Sequence, residues 1–184
     1  MEVELSAEAK DKRLNRRVAI TVVVLSVFTG VCNIKDGNIV QAMQAAQSAS
    51  VDQWNEYQAT RTKQHLTETA RSQMAVIAPS EATRAAIAGF DRDIARYRAE
   101  APALAHQAKA QSDLYEALNV HDDQFDASEA AISTAISIAA VAALAESAGV
   151  LVAAWAFGAF GMFMGLCGFL GLGFHPDVLS NLLG

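Results

Sequence analysis

The segment Ala148–Phe174 runs for 27 residues without a charged side chain. As a helix rising 1.5 Å per residue it would be about 40 Å long, more than the ~30 Å hydrocarbon core of a bilayer. In lipid every backbone polar group must be paired within the structure, so a single apolar run of this length predicts a transmembrane helix, residues 148–174. Glycines recur along it three or four residues apart, at Gly158, Gly161, Gly165, Gly168 and Gly171. On a helix they form one stripe, and stripes of small residues let backbones approach closely where the hydrophobic effect gives helices no reason to associate. The stripe predicts packing against a neighbouring helix of the same chain, a homo-oligomeric seam, or both.

Two weaker apolar runs extend this reading. Val18–Cys32 carries no charge in fifteen residues and reaches Ile34 if Asn33 is tolerated. It is slightly short for a span, but Arg16, Arg17 and Lys35 can snorkel at its ends. A cleaved signal peptide is the competing reading. The small residues a peptidase needs are missing past the run, and "TGVC" is a poor lipoprotein site, so an uncleaved anchor over residues 18–34 is expected. The second run, 130–146, is mostly alanine and isoleucine with Ser133, Thr134 and Ser137, and ends at Glu146. Only Glu146 and Ser147 separate it from the third run, which predicts a tight helical hairpin whose poorer member is shielded by the other.

Composition agrees with a membrane protein: 52% apolar residues but only 7% aromatic. Lys10, Lys12, Arg13, Arg16 and Arg17 cluster near the start of a chain whose net charge is −6, which excludes a nucleic-acid footprint and orients the anchor. By the positive-inside rule residues 1–17 stay cytoplasmic, residues 35–129 lie outside, and the tail 175–184 also lies outside. Such an orientation suits a bacterial inner membrane with a periplasmic middle region.

That middle region reads as an antiparallel helical hairpin, coiled-coil-like, with helices near 38–78 and 80–129 and a break at Pro79 followed by Ser80 as N-cap. In the second helix Ile87, Phe90, Ile94, Tyr97, Ala101, Leu104, Ala108, Gln111, Tyr115, Leu118, Asp122 and Phe125 alternate in steps of three and four, a heptad seam. The register continues through Ile132, Ile136 and Ala139, so the hairpin helix is expected to enter the membrane without a joint, with a kink at Pro102. In the first helix Val40, Met43, Val51, Trp54, Leu66 and Ile77 suggest the facing row, with Tyr57 beside Trp54 packing across the hairpin. Gly37 is the expected flexible point between anchor and hairpin.

"IKDGNIVQAMQAAQ" followed by "DQWNEYQATRTKQH" resembles the pattern of the bacterial domain-of-unknown-function family 4337. The matching positions are Lys35, Asn38, Gln41, Asp52, Trp54, Tyr57, Gln58, Ala59, Lys63 and Glu68, then Tyr97, Glu100 and the "FDASEA" run. The resemblance covers nearly the whole chain and implies a membrane protein of this layout. It implies no activity. Relatives tend to carry basic residues in the turn where this chain has Glu146.

Candidate chemistry is sparse. The histidines, His65, His106, His121 and His175, lack any ligand partner at zinc-enzyme spacing, and no phosphate loop or nucleophile elbow is present. No enzyme activity and no cofactor are expected. The two cysteines, Cys32 and Cys167, lie in apolar runs and read as small hydrophobes. "HDDQFDASE" gathers Asp122, Asp123, Asp126 and Glu129 at the rim of the second span. It reads as a solvated interface segment, with a weak metal site at Asp122, Asp126 and Glu129 or a charged oligomeric ring as sharper options. Lys35, at the same depth, is expected to pair with Asp126 and Glu129. The functional expectation is a non-enzymatic scaffold, either a homo-oligomer or an accessory subunit of another membrane complex. An oligomeric channel with an acidic vestibule and a periplasmic sensor are the alternatives.

Overall fold

The computed structural model describes residues 2–174, with side chains described from residue 12 onward. The tail 175–184, with His175, and the side chain of Lys10 lie outside the described residues. The described chain is all helical: α1 spans Glu2–Ala75, α2 Glu81–Leu144 and α3 Ala148–Leu170.

The joints are where the sequence offers breakers and caps. Residues 76–80 turn the chain, and Ser80 Oγ accepts the Thr83 amide at 3.0 Å, satisfying one free N–H at the start of α2. Between α2 and α3, Glu146 takes a left-handed φ of 47° and the Ser147 amide reaches back to the Ala142 carbonyl at 3.1 Å. This closes the C-terminus of α2 as a glycine would, at the strain of a side chain with positive φ. Gly171 ends α3 with φ 64° and its amide directed at the Cys167 carbonyl. It is therefore a C-cap and not part of the packing stripe, a correction to the fivefold reading.

Two further corrections concern α1. No joint forms at Gly37, because α1 continues through Asn33, Lys35, Asp36 and Gly37 as one helix. A single glycine costs a helix only about 1 kcal/mol, which unbroken bonding on both sides offsets. The facing row is also different. Val51, Trp54, Leu66 and Ile77 are exposed, whereas Met43, Ala46, Ser50, Thr60 and Gln64 are buried and Gln53 and Tyr57 half-buried. The seam of α1 keeps a three-and-four rhythm but is largely polar.

The chain divides into two compact units. In the unit formed by residues 42–116, α1 and α2 run antiparallel. Ser50 Oγ lies 2.9 Å from Ser112 Oγ and donates to the Ala108 carbonyl, while Arg98 pairs with Glu68 and Arg71 with Asp91. Every heptad position of α2 from Ile87 to Tyr115 is buried or half-buried, with Ile94, Ala101 and Ala108 deepest, and α2 passes Pro102 as one helix. In the other unit, residues up to 41 and from 117 onward, the core is apolar. Leu14, Val18, Ala139, Ala142, Leu151 and Ala154 form one cluster, and Leu25, Ile132 and Ala135 another.

Candidate functional site

The three-helix unit holds the residues of interest, and the glycines of α3 determine how closely its helices meet. A β-carbon on Gly161 would lie 2.9 Å from the Ser128 carbonyl oxygen and 2.6 Å from Ile132. On Gly165 it would meet Phe28 of α1 at 2.7 Å, on Gly168 Phe125 of α2 at 2.8 Å, and on Gly158 Leu25 of α1 at 3.1 Å. The stripe thus receives side chains from two helices of its own chain, which is why it carries more glycines than one partner would need. Leu25, Phe28, Phe125, Ser128 and Ile132 fill the space beside these four glycines.

Two unlike surfaces remain. One presents large apolar side chains: Phe157, Phe160, Phe163, Leu166 and Phe169 on α3, with Ile20, Val23, Val27 and Val31 on α1. Between these helices lies a groove of about 290 Å³ lined by Ile20, Thr21, Val24, Trp155, Ala159 and Met162, closed at one side where Trp155 Nε1 donates to Thr21 Oγ1 at 2.9 Å. The other surface is small and polar. On α2, Asp126, Ala130, Ser133, Ser137 and Ala140 are all exposed and follow one another in steps of four and three, a single stripe that ends at the exposed apolar Val141 and Leu144. Thr134 and Ser137 donate to the carbonyls of Ala130 and Ser133, so their hydroxyls are satisfied within the helix.

At the Asp126 end of that stripe the acids converge. Asp36 of α1 faces Asp122, Asp126 and Glu129 of α2, and its buried Oδ1 has no hydrogen-bond donor. Burial first, and then the neighbouring Asp122, push the Asp36 carboxyl up to about 6. Burial likewise raises Asp122 against the opposing hydrogen bond from Asp36. Desolvation by its packed neighbours raises Asp126 although its side chain reaches the surface, with like charges adding to both. A proton held between Asp36 and Asp122 is the simplest relief for two crowded carboxylates. Among the described residues no three His, Cys, Asp or Glu, Asp122, Asp126 and Glu129 included, are placed to hold a metal ion.

The pairing expected of Lys35 also differs. Lys35 is exposed and forms no ion pair with Asp126 or Glu129 among the described residues. One residue along a helix is a rotation of about 100°, and it is Asp36 that points at the acids. Sequence reasoning missed two further residues. Gln124 is fully buried and donates from Nε2 to the carbonyls of Leu172 and Phe174, binding the end of α3 to α2. Ser128, also buried, sits where Gly161 and Gly165 come closest. Only their neighbours on α3 reveal either role.

Fold and surfaces together define a class: an all-α protein with three helices long and apolar enough to cross a membrane, two of which also form an antiparallel hairpin. The particular family follows from the sequence. A family model described as a domain of unknown function (DUF4337) matches residues 14–171, and the chain belongs to that family. No curated protein and no solved structure matches it.

Proposed function

We propose that this chain is a non-enzymatic membrane scaffold: it spans a bacterial inner membrane three times, with its N-terminus cytoplasmic and the 42–116 hairpin periplasmic, and assembles with copies of itself or as a subunit of another membrane complex. The observation that carries this reading is the exposed small, polar stripe of α2. Lipid chains gain little from Ala, Ser and Asp, whereas a protein helix can approach such a face closely and hydrogen-bond across it. The large apolar side chains outside the groove, Val23, Val27 and Val31 on α1 and Phe160, Phe163 and Leu166 on α3, are what a lipid-facing surface needs. No nucleic acid and no cofactor enter this function.

Co-expression of two differently tagged full-length copies tests it. Capture of one tag from solubilised membranes is expected to recover both copies, or one copy with a fixed second protein. Recovery of the captured copy alone would contradict a scaffold role.

The convergence of four acids at one level favours one second reading, an oligomeric channel whose vestibule is Asp36, Asp122, Asp126 and Glu129. It predicts bilayer conductance that is lost in Asp122→Asn, Asp126→Asn, Glu129→Gln protein. Absence of conductance would contradict the channel reading.

A further inference from the structure

We infer that copies of this chain associate head to tail, the α2 stripe of one copy seating in the α1–α3 groove of the next, with Lys35 of the groove copy pairing with Asp126 and Glu129 of the stripe copy. The inference rests on the scaffold reading and specifies its partner and surface.

Charge comes first. Asp126 and Glu129 are exposed on α2 and form no ion pair among the described residues, and Lys35 is exposed on α1 and forms none either. Each surface carries the charge the other needs. A two-fold contact of one α2 stripe with another would instead bring Asp126 and Glu129 against their own copies, four carboxylates with no cation. Like charges placed opposite each other penalise that arrangement, so the isologous contact loses to the heterologous one.

Depth comes second. Copies inserted with one orientation can be related only by rotation about the membrane normal, so a residue meets neighbours at its own level. Asp36 stands beside Asp122, Asp126 and Glu129 within the chain, which puts its neighbour Lys35 at the level of the same acids in the next copy.

Length and shape come third. Lys35, Phe28 and Thr21 are seven residues apart and share one face of α1. Phe28 contacts Gly165 of α3 and Thr21 lines the groove, so Lys35 lies on the same side of α1 as the groove. From Lys35 to Thr21 and from Asp126 to Ala140 the chain covers the same number of residues, about 21 Å of helix in each case. Antiparallel α1 and α2 can therefore meet with the ion pair at one end and the Ala/Ser row of α2 along the groove. Small side chains on the incoming helix fit beneath Trp155 and Met162, where Leu or Phe would be held off.

Two single-cysteine copies with different tags, Val24→Cys in one and Ser137→Cys in the other, test the geometry with the charges intact. Native Cys32 and Cys167 are buried, and a copy without added cysteine serves as background. Oxidation in native membranes is expected to give a disulfide-linked pair carrying both tags, with neither variant cross-linking to itself. Ser137–Ser137 cross-linking alone would overturn the head-to-tail arrangement and leave the scaffold standing. Mixed-tag capture without any cross-link would do the same. Failure of mixed-tag capture, with no second protein recovered, would overturn both. In parallel, Lys35→Glu is expected to weaken association about tenfold, and Lys35→Glu with Asp126→Lys and Glu129→Lys to restore it. Undiminished association of Lys35→Glu would contradict the inference.

Discussion

The two compact units hold the same pair of helices together in opposite ways. Between residues 42 and 116, the apolar row of α2, with Ile94, Ala101 and Ala108 deepest, faces a row of α1 that buries Ser50, Thr60 and Gln64 beside Met43 and Ala46. Surface pairs such as Arg98–Glu68 and Arg71–Asp91 join the two helices. In the three-helix unit the contacts are Gly161 on the Ser128 backbone, Gly165 on Phe28, and Ala135, Ala139 and Ala142 without exposed surface. Where water is the proposed solvent, polar groups can stay paired at a seam while apolar ones also fall on its outside. Where lipid is the proposed solvent, helices gain by fitting backbones closely, and few charged groups enter the core. The difference is the one expected if the three-helix unit lies in lipid and the hairpin in water, as proposed above.

The largest expected effect comes from filling the close contact. Gly161→Leu puts atoms into the Ser128 carbonyl, which no side-chain rotation relieves, and should destabilise the three-helix unit by about 3 kcal/mol or more, read as a lower thermal midpoint in detergent. Next is Asp36→Asn. The folded pKa of Asp36, about 6, is above the ordinary 3.8, so its contribution to stability is fully present below pH 3.8 and lost as pH rises through 6. The variant should be more stable than the parent by about 1–2 kcal/mol at pH 8, with the gain vanishing by about pH 4. A gain that does not change with pH would contradict the crowding of Asp36 and Asp122.

Smaller effects test the polar half. Ser50→Ala removes the bridge to Ala108 and Ser112 and should destabilise the hairpin by about 1 kcal/mol. Gly89→Ala tests the contrast most simply. A β-carbon there meets nothing within 4 Å, so the change that is destructive at Gly161 should stabilise α2 by about 0.5–1 kcal/mol. Opposite signs at the two glycines would sharpen the comparison, and equal signs would break it.

How much of this was legible in the sequence depended on whether hydrophobicity marked the buried face. On α2 it did: Ile94, Ala101, Ala108, Phe125, Ile132 and Ala139 lie on the heptad row and are all buried. On α1 beyond Ala46 it did not, because the buried row is Ser50, Thr60 and Gln64, and the large apolar residues Val51, Trp54 and Leu66 point outward. A hydrophobic period cannot locate a seam made of hydroxyls and amides. The acid cluster was visible on α2, but its fourth member, Asp36, comes from a distant part of the chain. Lys35 and Asp36 are one residue apart, and the choice between them required the packed angle of α1. The glycines advertised close packing without naming a partner, and the partners proved to be Phe28, Phe125, Ser128 and Ile132.

The central proposal is that this chain acts by assembling in a membrane. Native mass measurement of the full-length protein released from lipid nanodiscs tests it most directly. A single closed species, either several copies or one copy with a constant partner, and dissociation of the homo-oligomer in Lys35→Glu protein are the expected results. A particle with the mass of one chain, 19.5 kDa, as the sole species would contradict the account.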